Sequence, residues 1–336
     1  MNNRVLDQFR ESIAKHRDDL MHWLNDTEKK KSIHLGTAAV SEVLAEMEEF
    51  KALLRQIDDN VFGRCVVCNG EVELERLEQD YSTNVCLDCY SEEQLRELER
   101  DLELAAKVQQ QLLPACVPSI ERIGFAVKYA SAHVVGGDYH DFFILKNGQQ
   151  GFAIGDVMGK GLAASMLMSN LQASLRILGP GYDRLDRLSD HLNRLFRCNL
   201  KLIRFISLFI GALDVINHTL YYCNAGHHAP MLWQSTDNDI RWLSPTAPAI
   251  GLIAEPEFKY ETVQVSTGDL LVLYTDGLIE ARNQSNQEFS EKRLAAFIRE
   301  NHQLTADDFV DKLWKLLKDY AVHNFDDITL LAIKFQ

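Results

Sequence analysis

From about residue 120 onward the chain is a succession of short apolar segments, and aspartates stand where several of them begin or end. The segments are rich in β-branched and aromatic residues, as strands are, and they read GFAVKYASA, DFFILK, GFAIGD, FISLFIGALDV, TLYYCNAG, DLLVLYTDG and DITLLAIKF. Helical patterns cover 161–178, 184–200 and about 290–320. Because strands and helices come in blocks rather than in strict alternation, the order predicts an α+β fold with antiparallel sheets and helices outside.

The aspartates at these strand ends are candidate metal ligands. Asp138 lies in VVGGDYHDFF, Asp156 in AIGDVMGKG and Asp276 in YTDG, and Asp326 and Asp327 open the last strand in NFDDITLL. One aspartate at a strand end is most often a turn former or a cap. Several carboxylates collected at strand ends form a hard oxygen site of the kind that Mg²⁺ or Mn²⁺ prefers.

The segment GFAIGDVMGKGLAASM ends a buried strand on a carboxylate and follows it with two glycines around Lys160. We expect the strand to deliver Asp156 to the site, Gly159 and Gly161 to allow a tight turn, and the next helix to fix the loop. The spacing is neither the P-loop pattern nor the dinucleotide-binding pattern. For Lys160, contact with phosphate and simple solvation are equally good interpretations.

These blocks carry a family resemblance over about 105–336. VVGGDYHDFF, GDVMGKGLAASM, NAGHHAP, YTDGLIEA and DDITLL resemble, in order, the signature blocks of the metal-dependent protein phosphatases related to phosphatase 2C, in particular their bacterial SpoIIE/RsbU-like branch. The preceding LAAKVQQQLLP resembles the linker of that branch. The resemblance implies a four-layer α-β-β-α sandwich, in which two antiparallel sheets face each other between helices and the metals lie at one end.

The same resemblance implies a role for each acidic residue. Asp156 would bridge two Mg²⁺ or Mn²⁺ ions, and the carbonyl of Val157 would hold one of them. Asp276 and Asp326 would complete the first ion's ligands, and Asp138 would hold the second. Asp327 is a second-ranked ligand, because many relatives have asparagine at its position. Since no block lacks its acid, we expect an active serine/threonine phosphatase with Asp138, Asp156, Asp276 and Asp326 as its catalytic set.

Residues 62–90 carry two C-x-x-C pairs, Cys65 with Cys68 and Cys86 with Cys89. Their spacing fits a zinc ribbon, in which each pair sits on a tight knuckle and the two knuckles complete a tetrahedron. Four buried free thiols or a redox pair are the weaker alternatives. A site closed by four thiolates leaves no open position, so we expect one structural Zn²⁺.

The segment from about residue 40 to 92 also resembles the zinc-finger region of the DksA/TraR family, on the strength of VFGRCVVCNGEVELERL and VCLDC. That family binds RNA polymerase. Residues 1–61 have helical periodicity with a break at Gly36, which predicts a helical hairpin. A hairpin that only mediates association is the alternative.

Residues 91–113 predict a helix that ends at Pro114 and carries apolar residues three and four apart. The seam consists of Leu95, Leu98, Leu102, Ala105, Gln109 and Leu112. A dimerising coiled-coil linker and a helix packed on its own domain are equally good interpretations. The first predicts a homodimer through the linker helix.

Composition narrows the classes of function. The net charge of −14 argues against nonspecific binding to nucleic acid or to an anionic membrane. Seven cysteines, without a signal-like start, favour a reducing compartment, and we expect the cytoplasm.

The sequence therefore predicts a helical hairpin over 1–61, a four-cysteine zinc finger over 62–90, a linker helix over 91–113 and a phosphatase domain over 118–336. We expect hydrolysis of phosphoserine or phosphothreonine on a protein, by resemblance an anti-sigma-factor antagonist in a partner-switching pathway, under control of the zinc module. A catalytically silent scaffold that recruits transcription machinery through the DksA-like module is the alternative, and a phosphohydrolase of small molecules is another. His227 and His228 are weaker candidates for a proton donor near the leaving group, and packing in the loop explains them better. For Glu280, bracing of the metal loop and packing are equally good interpretations.

Overall fold

The computed structural model describes residues 6–7, 9–10, 13–14, 17, 37–79, 81–159, 161–199, 205–253, 255–321 and 326–336. The chain divides into two compact units, Met1–Arg100 and Asp101–Gln336. The helices in the described part are α1 (Thr37–Asp58), α2 (Leu74–Gln79), α3 (Glu92–Leu112), α4 (Gly161–Leu178), α5 (Leu185–Asn199), α6 (Asp276–Ile279), α7 (Ser290–Asn301) and α8 (Ala306–Tyr320).

Two five-stranded antiparallel sheets form the second unit. Their strands are β1 (Ile123–Ala130), β2 (Asp138–Ile144), β3 (Gln150–Val157), β4 (Ile206–Asp214), β5 (Thr219–Ala225), β6 (Met231–Gln234), β7 (Asp239–Trp242), β8 (Glu261–Gln264), β9 (Leu270–Tyr274) and β10 (Ile328–Phe335). One sheet has the order β1-β10-β9-β6-β7, and we call it the first sheet. The other, the second sheet, has the order β2-β3-β4-β5-β8.

Alternating side chains on the central strands fill both faces of each sheet. On β10, Leu331 and Ile333 belong to the apolar cluster shared by strands of both sheets, whereas Leu330 and Ala332 pack with helices α7 and α8. The second sheet packs its other face on α4 and α5 through a separate cluster that includes Met168 and Leu192. These three clusters are the three interfaces of the predicted α-β-β-α sandwich, which confirms the fold class.

The predicted strands and helices of this unit all occur, with small shifts at their ends. The pattern over 290–320 is two helices, because α7 ends at Asn301 and α8 begins at Ala306, where Thr305 accepts a hydrogen bond from the Asp308 amide. Three short strands, β6, β7 and β8, have no counterpart in the prediction. Each is four residues long, and β7 and β8 each bury a single position, which gives little periodic signal.

The first unit has its own apolar core, in which Phe9 and Ile13 pack with Met47, Phe50 and Leu77. Helix α1 forms the second arm that the helical hairpin requires. The proposed turn of that hairpin around Gly36 lies outside the described residues, so the hairpin stays a prediction, as do the predicted domain limits.

Helix α3 begins with a capping box, as the sequence indicates. Ser91 Oγ accepts from the amide of Gln94, and the Gln94 side chain accepts from the amide of Ser91. The residues of the proposed seam differ in burial along the helix. Leu98 and Leu102 are exposed, but Gln109 is buried within the second unit and Leu112 is half-buried. The C-terminal end of α3 therefore packs on its own domain, and only the upstream leucines remain for a coiled coil.

Among the described residues, no helix is both long enough and apolar enough to cross a membrane.

Candidate metal centre

Two of the predicted acidic residues face each other on neighbouring strands. Strand β2 begins at Asp138, strand β3 runs antiparallel to it, and their register pairs Asp138 with Asp156. On the other side of β3, Asp156 is paired with Ser207 of β4. The second sheet therefore presents two carboxylates at one end, as the strand-end pattern predicts.

The other acidic residues flank the ends of two strands of the first sheet. Strand β9 ends at Tyr274, just before Asp276, and its neighbour β10 begins at Ile328, just after Asp326 and Asp327. At Gly277 an added Cβ would lie 2.0 Å from the carbonyl oxygen of Asp327. The Asp276–Gly277 turn therefore lies directly on the backbone of Asp326 and Asp327, and only glycine allows this approach.

Two threonine hydroxyls connect the carboxylates of the two sheets. Thr275 and Thr329 both donate to Oδ2 of Asp138 at 2.7 Å. The amide of Thr329 donates to the hydroxyl of Thr275 at 2.9 Å. All three residues are buried. Neither threonine stands out in the sequence as a functional residue, although each lies in a signature block, YTDG or DDITLL.

The electrostatics at this end of the sandwich favour a bound cation. Burial, and then the neighbouring charge of Asp156, raise the pKa of Asp138 well above its usual range. Burial, and then Asp276, Glu288 and Asp326, raise the pKa of Glu280. Carboxylates that raise one another's pKa in this way become stable as anions when a divalent ion neutralises them. The donor set, which consists of oxygen atoms alone, is the kind that Mg²⁺ and Mn²⁺ prefer.

The Asp327 carboxylate accepts hydrogen bonds that account for an acidic residue at this position without a metal. Its Oδ1 accepts from Ser131 Oγ at 3.0 Å and from the amide of Ala132 at 2.8 Å, and its Oδ2 accepts from the amide of Gly137 at 2.6 Å. The side chain thus anchors the loop that leads into Asp138. Its role as a metal ligand stays a prediction.

Val157 is the last residue of β3, and the glycine turn follows it. The amide of Val157 donates to the carbonyl of Gly137 at 3.4 Å, so the end of β3 meets the loop before β2. Gly159 and Gly161 have φ of 108° and 70°, which only glycine adopts easily. Lys160 itself lies outside the described residues. Whether the Val157 carbonyl binds a metal stays a prediction.

His227 is a buried neighbour of the site and does not face solvent. Its Nδ1 lies 2.9 Å from Ser207 Oγ, the residue paired with Asp156, and its amide donates to Asn224 Oδ1 at 2.8 Å. Burial, and then His228, lower its pKa to about 3. A neutral imidazole that is buried and bonded through Nδ1 fits the packing interpretation better than a proton donor. His228 is half-exposed, and its Nδ1 lies 3.9 Å from Glu291.

The linker helix reaches the loop that precedes Asp138, a contact the sequence did not predict. The Gln109 amide nitrogen donates to the Gly136 carbonyl at 2.6 Å, and its oxygen accepts from the Gly136 amide at 3.0 Å. An added Cβ at Gly136 would lie 2.4 Å from the Tyr129 hydroxyl and 2.5 Å from Asp327 Oδ2. Gln109 is a polar residue in an apolar seam, and that irregularity is the one signal for this contact.

The four cysteines form a second, separate cluster, in the first unit. Their sulfur atoms all lie within 4.8 Å of one another, and among the described residues they are the one group of three or more possible ligands that is this compact. Three of the Sγ–Sγ distances are 3.5–3.6 Å. A tetrahedron with Zn–S bonds of about 2.3 Å has edges of about 3.8 Å. The donor set and its size therefore fit zinc.

The knuckle geometry supports the same interpretation. The amide of Val67 donates to Cys65 Sγ at 3.4 Å, and the amide of Gly70 donates to Cys68 Sγ at 3.3 Å. Backbone hydrogen bonds at Cys68 and Cys86 lower the pKa of Cys65 to about 6, which favours the thiolate that binds metal. Gly63 has φ of 70°, as a tight turn before the first knuckle requires.

Fold and site together define a PP2C-like sandwich with acidic residues at one end of its paired sheets. Residues 146–336 match the family Stage II sporulation protein E (SpoIIE), and the chain belongs to that family. It is similar to phosphoserine phosphatase RsbU of Bacillus subtilis, with 28% identity over 242 residues that cover 71% of each protein. It is also similar to protein IcfG of Synechocystis, with 26% identity over 69% of this chain but only 41% of IcfG.

Solved structures show the same fold. The RsbU and RsbW domains of a Mycobacterium tuberculosis protein superimpose with a TM-score of 0.59 at 27% identity, over 67% of this chain and 63% of that one. The SiaA-PP2C domain of Pseudomonas aeruginosa superimposes with a TM-score of 0.63 at 18% identity, over 72% of this chain and 98% of that domain. At 18% identity the likeness concerns the fold alone.

Proposed function

We propose that this chain is a metal-dependent protein phosphatase that hydrolyses phosphoserine or phosphothreonine on a protein substrate. The observation that carries the proposal is the facing pair Asp138 and Asp156 at the sheet end, with Asp276 and Asp326 next to the adjoining strand ends of the other sheet. RsbU and RsbP of Bacillus subtilis, both similar to this chain, are named phosphoserine phosphatases.

We propose two divalent ions at this site, because the donor set consists of carboxylate and carbonyl oxygens. Asp156 would bridge them, the Val157 carbonyl, Asp276 and Asp326 would hold one, and Asp138 would hold the other. Bound Mg²⁺ or Mn²⁺ ions supply an activated water for attack on phosphorus and offset the charge of the phosphoryl group. The protein's own part is to hold its carboxylates at fixed positions in a buried setting and to keep the glycine turn after Asp156 open to the phosphate.

The substrate proposal is narrower and rests on family likeness: a phosphorylated anti-sigma-factor antagonist in the cytoplasm. The test compares full-length protein on a phosphoserine protein and on p-nitrophenyl phosphate, with Mn²⁺ present and absent. We expect Mn²⁺-dependent release of phosphate with kcat/KM higher for the phosphoprotein. Better turnover of the small ester would favour a small-molecule phosphohydrolase, and no turnover of either would favour the silent scaffold.

We also propose that the four cysteines bind one structural Zn²⁺ in a DksA/TraR-like module that regulates the phosphatase. The distances between the sulfur atoms and the amide bonds to sulfur support the metal, and the sequence likeness supports the module. Purified protein should contain one zinc per chain, and Cys86→Ser should lose it. Cys116→Ser, which changes an exposed cysteine outside the cluster, is the matched control and should keep it. Zinc retained by Cys86→Ser would contradict the proposal.

A homodimer through the linker helix is the last part of the proposal. Leu98 and Leu102 are 46% and 37% exposed on one face of α3, which suits a coiled-coil contact. Replacing both by glutamate should give monomers in sedimentation experiments, with altered basal activity. Leu104→Glu, at a more exposed leucine off that face, should stay dimeric. A double variant that remains a dimer with unchanged turnover would count against the linker role.

A further inference from the structure

We infer that Thr275 and Thr329 are positioning residues that fix the orientation of the Asp138 carboxylate for metal binding, an inference that rests on the proposed function. Each donates its hydroxyl proton to Asp138 Oδ2 at 2.7 Å. Neither threonine has measurable exposure, and Asp138 is 1% exposed. The contact therefore lies in the interior, where water does not compete for these bonds.

The hydrogen-bond pattern leaves each threonine one arrangement. Thr275 Oγ1 accepts from the amide of Thr329, so its own proton is available for Asp138. An ionised carboxylate only accepts, so both hydroxyls must be donors toward it. Because both protons converge on Oδ2, the carboxylate cannot rotate without breaking them. Oδ1 takes part in neither bond, so it is the oxygen that would bind a cation.

The position of the threonines in the fold gives the contact its importance. Thr329 lies in β10 of the first sheet, and Thr275 directly follows β9 of the same sheet and precedes Asp276. Asp138 belongs to the second sheet. The two hydroxyl bonds therefore fix one ligand relative to the acidic residues of the other sheet. Groups that hydrogen-bond metal ligands in this way typically contribute 10–100-fold to metal affinity.

The opposing interpretation is that the hydroxyls merely satisfy a buried carboxylate. That role would affect folding stability but not metal affinity in the folded protein. The two interpretations separate when Mn²⁺ binding is measured without substrate, alongside thermal unfolding in EDTA. Valine is the informative replacement, because it keeps the shape of threonine and removes only the hydroxyl.

The experiment uses full-length protein with Thr275→Val, Thr329→Val, the double variant and Thr275→Ser. Thr219→Val is the matched control, because Thr219 is a buried threonine with hydrogen bonds at the start of β5 and contacts none of the acidic residues of the site. Mn²⁺ binding is measured by calorimetry and by the Mn²⁺-induced shift in Tm, and the activity gives the Mn²⁺ concentration for half-maximal turnover.

We expect the double variant to bind Mn²⁺ about 10–100-fold more weakly and to need correspondingly more Mn²⁺ for half-maximal turnover. Thr275→Ser and Thr219→Val should bind as wild type does. Wild-type affinity in the folded valine variants would overturn the inference alone. Wild-type protein that neither binds Mn²⁺ nor turns over phosphoprotein would overturn the proposed function and this inference with it. If the double variant does not fold, the single variants decide.

Discussion

The cysteine cluster and the carboxylate site are both proposed metal sites, but their residues come from chain segments at very different separations. The four cysteines lie within 25 residues of sequence and their sulfurs lie within 4.8 Å of one another. The carboxylates come from two sheets, and the bonds that connect those sheets join residues 137 and 191 positions apart. A local site depends on its metal for its shape, whereas the distant one depends on a folded core.

The largest expected effect is on the cysteine module. A structural zinc contributes on the order of 10–16 kcal/mol to small zinc-finger peptides, so its removal should unfold the module. With a strong chelator, amide hydrogen exchange should accelerate sharply over 62–90. Exchange in the strands of the two sheets should stay slow, because their core consists of apolar side chains. If amide exchange in 62–90 stayed slow after chelation, the cysteine module would not depend on its metal more than the carboxylate site does.

Asp276→Asn should produce the opposite result in the other site. The substitution keeps the size of the side chain and removes the negative charge that would bind a metal ion. Turnover should therefore fall about 100-fold or more. The Tm in EDTA should change little, since the sheets do not need the metal to fold. Asp237→Asn, on an exposed turn, is the matched control. A large loss of Tm with activity retained would show that Asp276 is structural.

Gly277→Ala should disturb the contact between the Asp276–Gly277 turn and the backbone of Asp327 without changing a carboxylate. Its new Cβ would overlap the Asp327 carbonyl, so the Asp276 turn must shift. We expect a loss of about 1–3 kcal/mol in the free energy of unfolding, together with weaker Mn²⁺ binding. Gly181→Ala, where an added Cβ meets nothing within 4 Å, should be neutral in both measurements. Equal behaviour of the two variants would mean that the turn has room to move.

The smallest effect concerns pH. Burial lowers the pKa of His227 to about 3 and that of His140 to about 4. Both are neutral when folded but take up a proton below about pH 6.5 when unfolded. Stability should therefore fall as pH drops from about 6.5 toward 4, by up to about 1.4 kcal/mol per pH unit for each histidine.

Urea unfolding at several pH values measures this slope. His227→Gln should reduce the slope by the contribution of one histidine. Comparison with wild type isolates this contribution, because the carboxylates contribute equally to the slope in both proteins. His218→Gln, in an exposed turn, should leave the slope unchanged. An unchanged slope in His227→Gln would mean that His227 is protonated in the folded protein.

The sequence predicted the elements that carry a local signal. The α+β class, the seven main strands and the cluster of cysteines could be read from periodicity and spacing, whereas the four-layer sandwich followed from the family resemblance. Which aspartates meet was accessible only through family blocks. The partners of Asp138 and Asp327 were not accessible, since a threonine hydroxyl gains its role from strand pairing across two sheets. The seam pattern contains Gln109 but does not predict its contact with Gly136, because that contact depends on how the helix packs.

The most direct test of the two-sheet metal centre is Mn²⁺-dependent phosphate release from a phosphoserine protein by wild type and Asp156→Asn. Asp214→Asn is the matched control, since Asp214 lies at the opposite end of the sheet and bonds only to side chains and backbone of nearby turns. The account predicts metal-dependent turnover in wild type and Asp214→Asn and its loss in Asp156→Asn. Undiminished turnover in Asp156→Asn would contradict it.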